Sequence, residues 1–105
     1  MTAAVITATV VATKDAPMNT VSGSNRNMKT LYLEGAKAAQ NDWFLLSTYL
    51  SATELTQIIG WRATVEASGN AYEIDVITYD SDDAKLDLTA AAVGTSSVFI
   101  DYYEG

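Results

Sequence analysis

The chain has 105 residues, thirteen acids against six bases, and a net charge of −7. Its length predicts a single domain over residues 1–105, long enough to bury a core without a covalent staple. The charge repels nucleic acid phosphates and anionic bilayers, so neither is an expected partner. Cysteine and histidine are both absent, which excludes disulfides, thiolate chemistry and a Ser-His-Asp triad. It also removes the commonest general base and metal ligand.

The opening "MTAAVITATVVATK" carries no cation before Lys14. A secretory leader would place one ahead of its apolar run. Residues 3–13, rich in Val, Ile and Thr, read as a strand of the mature protein. No apolar run reaches the roughly 18 residues of a membrane span. Residues 14–28, "KDAPMNTVSGSNRNM", hold the chain's one proline and little that can enter a core. They predict a long polar loop or arm within the domain. Residues 29–34, "KTLYLE", are a second strand with Leu31 and Leu33 on one face, closed by Gly35. Residues 42–48, "DWFLLST", are a short third strand.

In "LSATELTQIIG", Ser51 and Glu54 have capping-box spacing, flanked by Leu50 and Leu55 as an apolar staple. Leu55, Ile58 and Ile59 share a helical face and Gly60 can end it. The pattern predicts a helix over 52–59. The alternative is a loop running into a strand that begins at Ile58.

From Trp61 onward the pattern is an antiparallel meander. "WRATVEA" and "AYEIDVITYD" alternate around a Gly69-Asn70 turn. That turn places Val65 opposite Ile74, Ala63 opposite Val76 and Trp61 opposite Thr78. Arg62, Thr64, Glu66, Glu73 and Asp75 then form the wet face, with Glu66 directly opposite Glu73. Strands over 85–90 and 97–103 complete the set. The expected fold is mainly β: a small antiparallel sandwich or barrel with a C-terminal meander and one short helix.

Two acidic groups could carry chemistry. Asp80, Asp82, Asp83 and Asp87 lie in "TYDSDDAKLDL". Pairing Asp80 with Ala84 leaves Ser81-Asp82-Asp83 as a three-residue turn, where aspartates are favoured. A calcium loop counted from Asp80 would need glycine and glutamate where Lys85 and Ala91 stand. The stretch is therefore read as a turn. Glu66, Glu73 and Asp75 could act as an acid–base pair only if one carboxyl were desolvated in an apolar pocket. An open sheet face does not provide that. Neither catalytic, cofactor nor metal residues are expected.

The aromatics point to contact instead. Trp43, Phe44 and Trp61 read as core. Tyr102 and Tyr103 are adjacent on a strand and must point to opposite faces. Ile77 and Tyr79 fall on the nominally polar face. With Asn19 and Arg26 on the arm, these four make the candidate interface.

The stretch "YEIDVITYDSDDAKLDLTAAAVGTSSVFIDYY", residues 72–103, resembles the small β-rich virion proteins of tailed phages and related head-tailed viruses. Such chains often end in a "YD…KL.L..A..GT..V.V.Y" type of meander. Tyr79, Asp80, Lys85, Leu86, Leu88, Gly94, Thr95 and Val98 carry the likeness. The resemblance implies a non-enzymatic protein that decorates or stabilises a capsid shell, located on the virion. Its partners would be the major capsid protein or another shell protein, and further copies of itself, a trimer favoured. The alternative is an extracellular β-sandwich module binding carbohydrate or protein, which a flat platform of exposed aromatics would favour.

Overall fold

The computed structural model of the chain describes residues 3–20, 27–67 and 72–103. Its strands are β1 (Ala8–Thr20), β2 (Asn27–Lys37), β3 (Trp43–Leu45), β4 (Ile58–Ala67), β5 (Tyr72–Asp75), β6 (Ile77–Asp80), β7 (Lys85–Leu88) and β8 (Gly94–Tyr103). A single 3-10 turn, Leu46–Thr48, and a one-turn helix α1, Ala52–Leu55, join β3 to β4. Two antiparallel sheets result, in orders β1-β2-β8-β4-β5 and β3-β7-β6. The architecture is a sandwich and not a closed barrel.

β3, β7 and β8 follow the two-residue alternation that one buried face requires. The larger sheet turns Leu31, Leu33, Ala63, Val98, Ile100 and Tyr102 inward, against Phe44, Leu86 and Leu88 of the smaller one. Leu46, Leu50 and Ile6 join the same core. Fully burying one such side chain stabilises by about 1.5–3 kcal/mol, so this layer dominates the fold. Trp61 of β4 and Tyr79 of β6 meet across the sheets with ring centres 5.0 Å apart.

The arm expected at 14–28 is not a loop throughout. Lys14–Thr20 continues β1 and Asn27–Met28 opens β2, with Lys14 opposite Thr30 and Asp15 opposite Lys29. Backbone pairing with β2 carries this segment. Residues 21–26, including Arg26, lie outside the described residues. Gly35 does not close its strand. It lies inside β2, where Ile6 and Thr7 approach too closely for a side chain.

The helix is shorter than expected. Its capping box forms, with the Glu54 amide donating to Ser51 Oγ and the Ser51 amide to Glu54 Oε1. The helix nevertheless stops at Leu55, and Ile58 begins β4. Sheet pairing of Ile58 with Tyr102, next to a bulge at Gly60, outweighs a second helical turn. The expected meander is also split between sheets. The chain leaves the large sheet after Asp75, forms the β6–β7 hairpin in the small one, then returns as β8 between β2 and β4.

Both hairpin registers sit one residue from expectation. Val65 is opposite Glu73 and Ala63 opposite Asp75, while Glu66 faces Tyr72 and not Glu73. Asp80 is opposite Lys85, Tyr79 opposite Leu86 and Ile77 opposite Leu88. A one-residue slip exchanges the faces of a strand. Asp75 is therefore buried, while Ile74 and Val76 are exposed. The Gly69-Asn70 turn lies outside the described residues. The β6–β7 connection takes four residues, 81–84, closed by Ala84 with φ of 55°.

Candidate functional site

The inner face of the large sheet ends in charge. Lys37 continues the parity of Leu31 and Leu33, so it must point inward. Its Nζ lies 2.8 Å from Asp75 Oδ2, and both side chains are wholly buried. Lys37 also donates to the Ala90 carbonyl at 2.7 Å, and the Ala90 amide donates to Asp75 Oδ1 at 2.9 Å. Each oxygen of the Asp75 carboxylate thereby has a partner within the fold. The carboxyl is desolvated, as acid–base catalysis would ask, but it is neutralised by a lysine and not open to a substrate.

Asp42 is the second buried acid. Its Oδ1 accepts from the Ala4 amide at 2.8 Å, and Oδ2 accepts from Ala38 and Ala39 at 2.8 and 2.9 Å. Burial is the largest influence on this carboxyl and pushes its pKa up. The amides of Ala4, Ala39 and Ala38, with the charge of Lys37, outweigh it and hold the pKa below the ordinary value. Neither Lys37, Asp42 nor Asp75 was singled out from the sequence as a buried charge. The available signal was the parity of Lys37 with Leu31 and Leu33, which demands an acid partner in the interior.

The acidic turn is a turn. The Asp82 amide donates to Asp80 Oδ1 at 3.0 Å, an Asx-type bond, and Asp80, Asp82 and Asp83 are exposed. Asp87 stands apart on β7, opposite Trp43 and Thr78. Among the described residues no three potential ligands gather as a metal site.

The expected interface residues do not form one patch. Ile77 and Tyr79 pack against the core from β6, so their assignment to an outer face is corrected: the register slip turns them inward. Burial, with the Asp80 charge adding to it, pushes the Tyr79 phenol pKa up. Tyr102 is buried, whereas Tyr103 is half-buried one position along β8. Asn19 lies in β1, and Arg26 is outside the described residues.

A different surface is organised. The outer face of the large sheet carries a cross-strand row of Ala12, Tyr32, Phe99 and Arg62. Tyr32 and Phe99 stack with ring centres 4.4 Å apart, and the Arg62 guanidinium lies 4.6 Å from the Phe99 centre. Because β8 runs between β2 and β4, Phe99 has a ring on one side and a cation on the other. Asp101 accepts from Thr30 Oγ1 at 2.5 Å and lies 3.9 Å from Arg62. Tyr32 donates to Glu34 at 3.2 Å. At the β5 edge the same face ends in Tyr72 and Ile74, both strongly exposed. Sequence alternation alone could not single out this row, since its residues sit at the positions reserved for solvent.

No family model matches the chain, and neither a curated protein nor a solved structure matches it. Among the described residues no helix is long and apolar enough to cross a membrane.

Proposed function

We propose that this chain is a non-enzymatic virion protein that decorates or stabilises a capsid shell, docking through the outer face of its five-stranded sheet. The carrying observation is the row Tyr32–Phe99–Arg62, fixed by stacking on a regular sheet and left toward solvent. Aromatic residues and arginine are the side chains most enriched where proteins dock, and rigid ones lose little entropy on binding. The buried carboxylates support the non-enzymatic part of this reading, since Asp42 and Asp75 are spent on amides and on Lys37. The choice of a shell as the partner comes from the resemblance of residues 72–103. Further copies of the chain are the other partner, and the capsid surface is the location that goes with it.

The ring geometry favours a protein partner over a sugar. Carbohydrate modules offer ring faces to a pyranose, whereas Tyr32 and Phe99 use a face on each other and Arg62 covers the far face of Phe99. The extracellular alternative therefore narrows to protein recognition.

Cosedimentation tests the proposal. The purified chain, mixed with empty shells of the virus that encodes it, should travel with them at a fixed stoichiometry. Arg62→Gln should lose this while staying folded with only a small drop in melting temperature, because Arg62 is exposed and contacts Phe99 and Asp101 at the surface. A folded parent chain left at the top of the gradient, or a coding genome that carries no capsid gene, overturns it.

A further inference from the structure

The three most exposed large apolar side chains among the described residues are Tyr72, Ile74 and Val76, at 72%, 83% and 62%. They alternate along the chain, so they line one side of β5 and its exit. That strand is an edge: β4 pairs with one side of it and nothing described pairs with the other. Exposed edges recruit further strands unless lysine, proline or a bulge blunts them. β5 holds neither residue and pairs with β4 without a register break.

The edges at β3 and β1 are treated differently. Residues 4–6 lie along β3, with the Ile6 amide donating to the Trp43 carbonyl and the Trp43 amide to Ala4. β1 is irregular between Val10 and Ala12 and again between Asp15 and Thr20.

We propose that β5 pairs antiparallel with β5 of a second copy across a two-fold axis, joining two five-stranded sheets into one of ten strands. The inference deepens the self-association in the proposed function but stands apart from shell binding. A two-fold axis normal to the sheet keeps the outer faces together, so outward residues must meet outward residues. Two registers centred on β5 satisfy this. Centring on Glu73 sets two carboxylates directly opposite, which is unfavourable. Centring on Ile74 sets Ile74 against itself and Tyr72 against Val76, an aromatic–β-branched pair of the favourable kind. On the inner side Glu73 then meets Asp75, whose charge Lys37 already balances at 2.8 Å. A closed three-fold ring would instead need β5 to pair with a different edge. Within this sheet that edge is β1, whose ladder is interrupted. Two short strands cover far less than the roughly 1,200 Å² of a stable interface, so the pair is weak in dilute solution and forms where copies are crowded.

The chain has no cysteine, so single cysteines report on the register. Directly opposed residues have Cα atoms about 4.5–5.5 Å apart, within the span of a disulfide. Under mild oxidation Ile74→Cys should form a covalent dimer roughly tenfold faster than Glu73→Cys at equal concentration, because pairing raises the local thiol concentration. Adding Tyr72→Lys to Ile74→Cys should return the rate to that of the control. Should Ile74→Cys fail to fold, mixed Tyr72→Cys and Val76→Cys, which face each other in this register, replace it. A rate no faster than Glu73→Cys overturns the proposal, as does light scattering that shows a trimer of the parent chain. Loss of shell binding would leave the cross-linking result untouched, so the two failures are distinguishable.

Discussion

Lys37 and Asp75 meet at 2.8 Å inside the sandwich although β8 and β4 stand between their strands. The cross-strand neighbour of Lys37 is Gly94, which puts no side chain in the way. Through Ala90 the pair also ties down the connection from β7 to β8. One ion pair thus links β2, β5 and the chain's return to the large sheet. Its value lies in specificity as much as in energy, because burying two charges offsets much of their attraction.

Breaking the pair from one side should be severe. Lys37→Met leaves a buried carboxylate and Asp75→Asn leaves a buried ammonium, each at a cost of about 3–5 kcal/mol. The double variant removes both charges and should lose clearly less than the sum. Urea unfolding of the four proteins measures the coupling. Additive losses would mean that the pair acts as two independent residues.

This pair also explains what the sequence did and did not disclose. Strand content, the Ser51–Glu54 cap and the core roles of Leu31, Leu33, Phe44, Leu86 and Leu88 follow from local patterning, and the structure has them. The parity of residues 74–79 does not. Ile74 and Val76 compete with Ile77 and Tyr79 for the core face, two apolar residues against two. Counting apolar residues cannot break that tie. The charge on Lys37 breaks it, by requiring Asp75 inside, and the odd-numbered 75, 77 and 79 then follow it inward. The outer row Tyr32–Phe99–Arg62 was hidden for a related reason: it depends on strand order, and β8 pairs with strands distant in sequence.

Two glycines should respond oppositely to alanine. A Cβ on Gly35 would lie 2.5 Å from Ile6 Cγ2 and 2.9 Å from the Thr7 carbonyl oxygen. The backbone oxygen has little room to yield, so Gly35→Ala should cost about 1–3 kcal/mol. A Cβ on Gly60 meets nothing within 4 Å. Gly60→Ala should be neutral or add about 0.4–1 kcal/mol by restricting the unfolded chain. Thermal melts should move apart by about 4–8 °C per kcal/mol of difference. A Gly35→Ala protein that melts with the parent would mean that the β1–β2 hairpin approaches Ile6 less closely.

Asp42 should govern part of the acid limb of stability. Its folded pKa lies below the ordinary 3.8, because three amides and Lys37 outweigh its desolvation. A carboxyl with a depressed folded pKa stabilises above its unfolded pKa, and that contribution fades as pH falls through the folded one. The loss therefore begins near pH 3.8 and grows below it. Asp42→Asn cannot accept with both side-chain atoms from three amides, so it should be less stable at neutral pH by about 1–3 kcal/mol. On acidification it should lose less than the parent, and the two curves of melting temperature against pH should converge. Parallel curves would show that Asp42 does not titrate with folding.

The cap at Ser51 offers the mildest and most local prediction. The helix α1 is a single exposed turn, but it ends at Leu55, which packs on the core, and two residues later the Gln57 carbonyl accepts from the Tyr103 amide. A frayed turn would therefore loosen the entry to β4 and the end of β8 together. Ser51→Ala removes the acceptor for the Glu54 amide and should cost about 1 kcal/mol. Glu54→Gln keeps an oxygen for the Ser51 amide and should cost less. Glu54→Ala should approach Ser51→Ala, and the double variant should fall short of the sum, because each partner's bond depends on the turn that the other closes. Hydrogen exchange should locate the effect at residues 54–58, with the amide of Tyr103 exchanging faster in step. Protection at Tyr103 unchanged by Ser51→Ala would separate the cap from the sheet and leave α1 as a decoration on the loop.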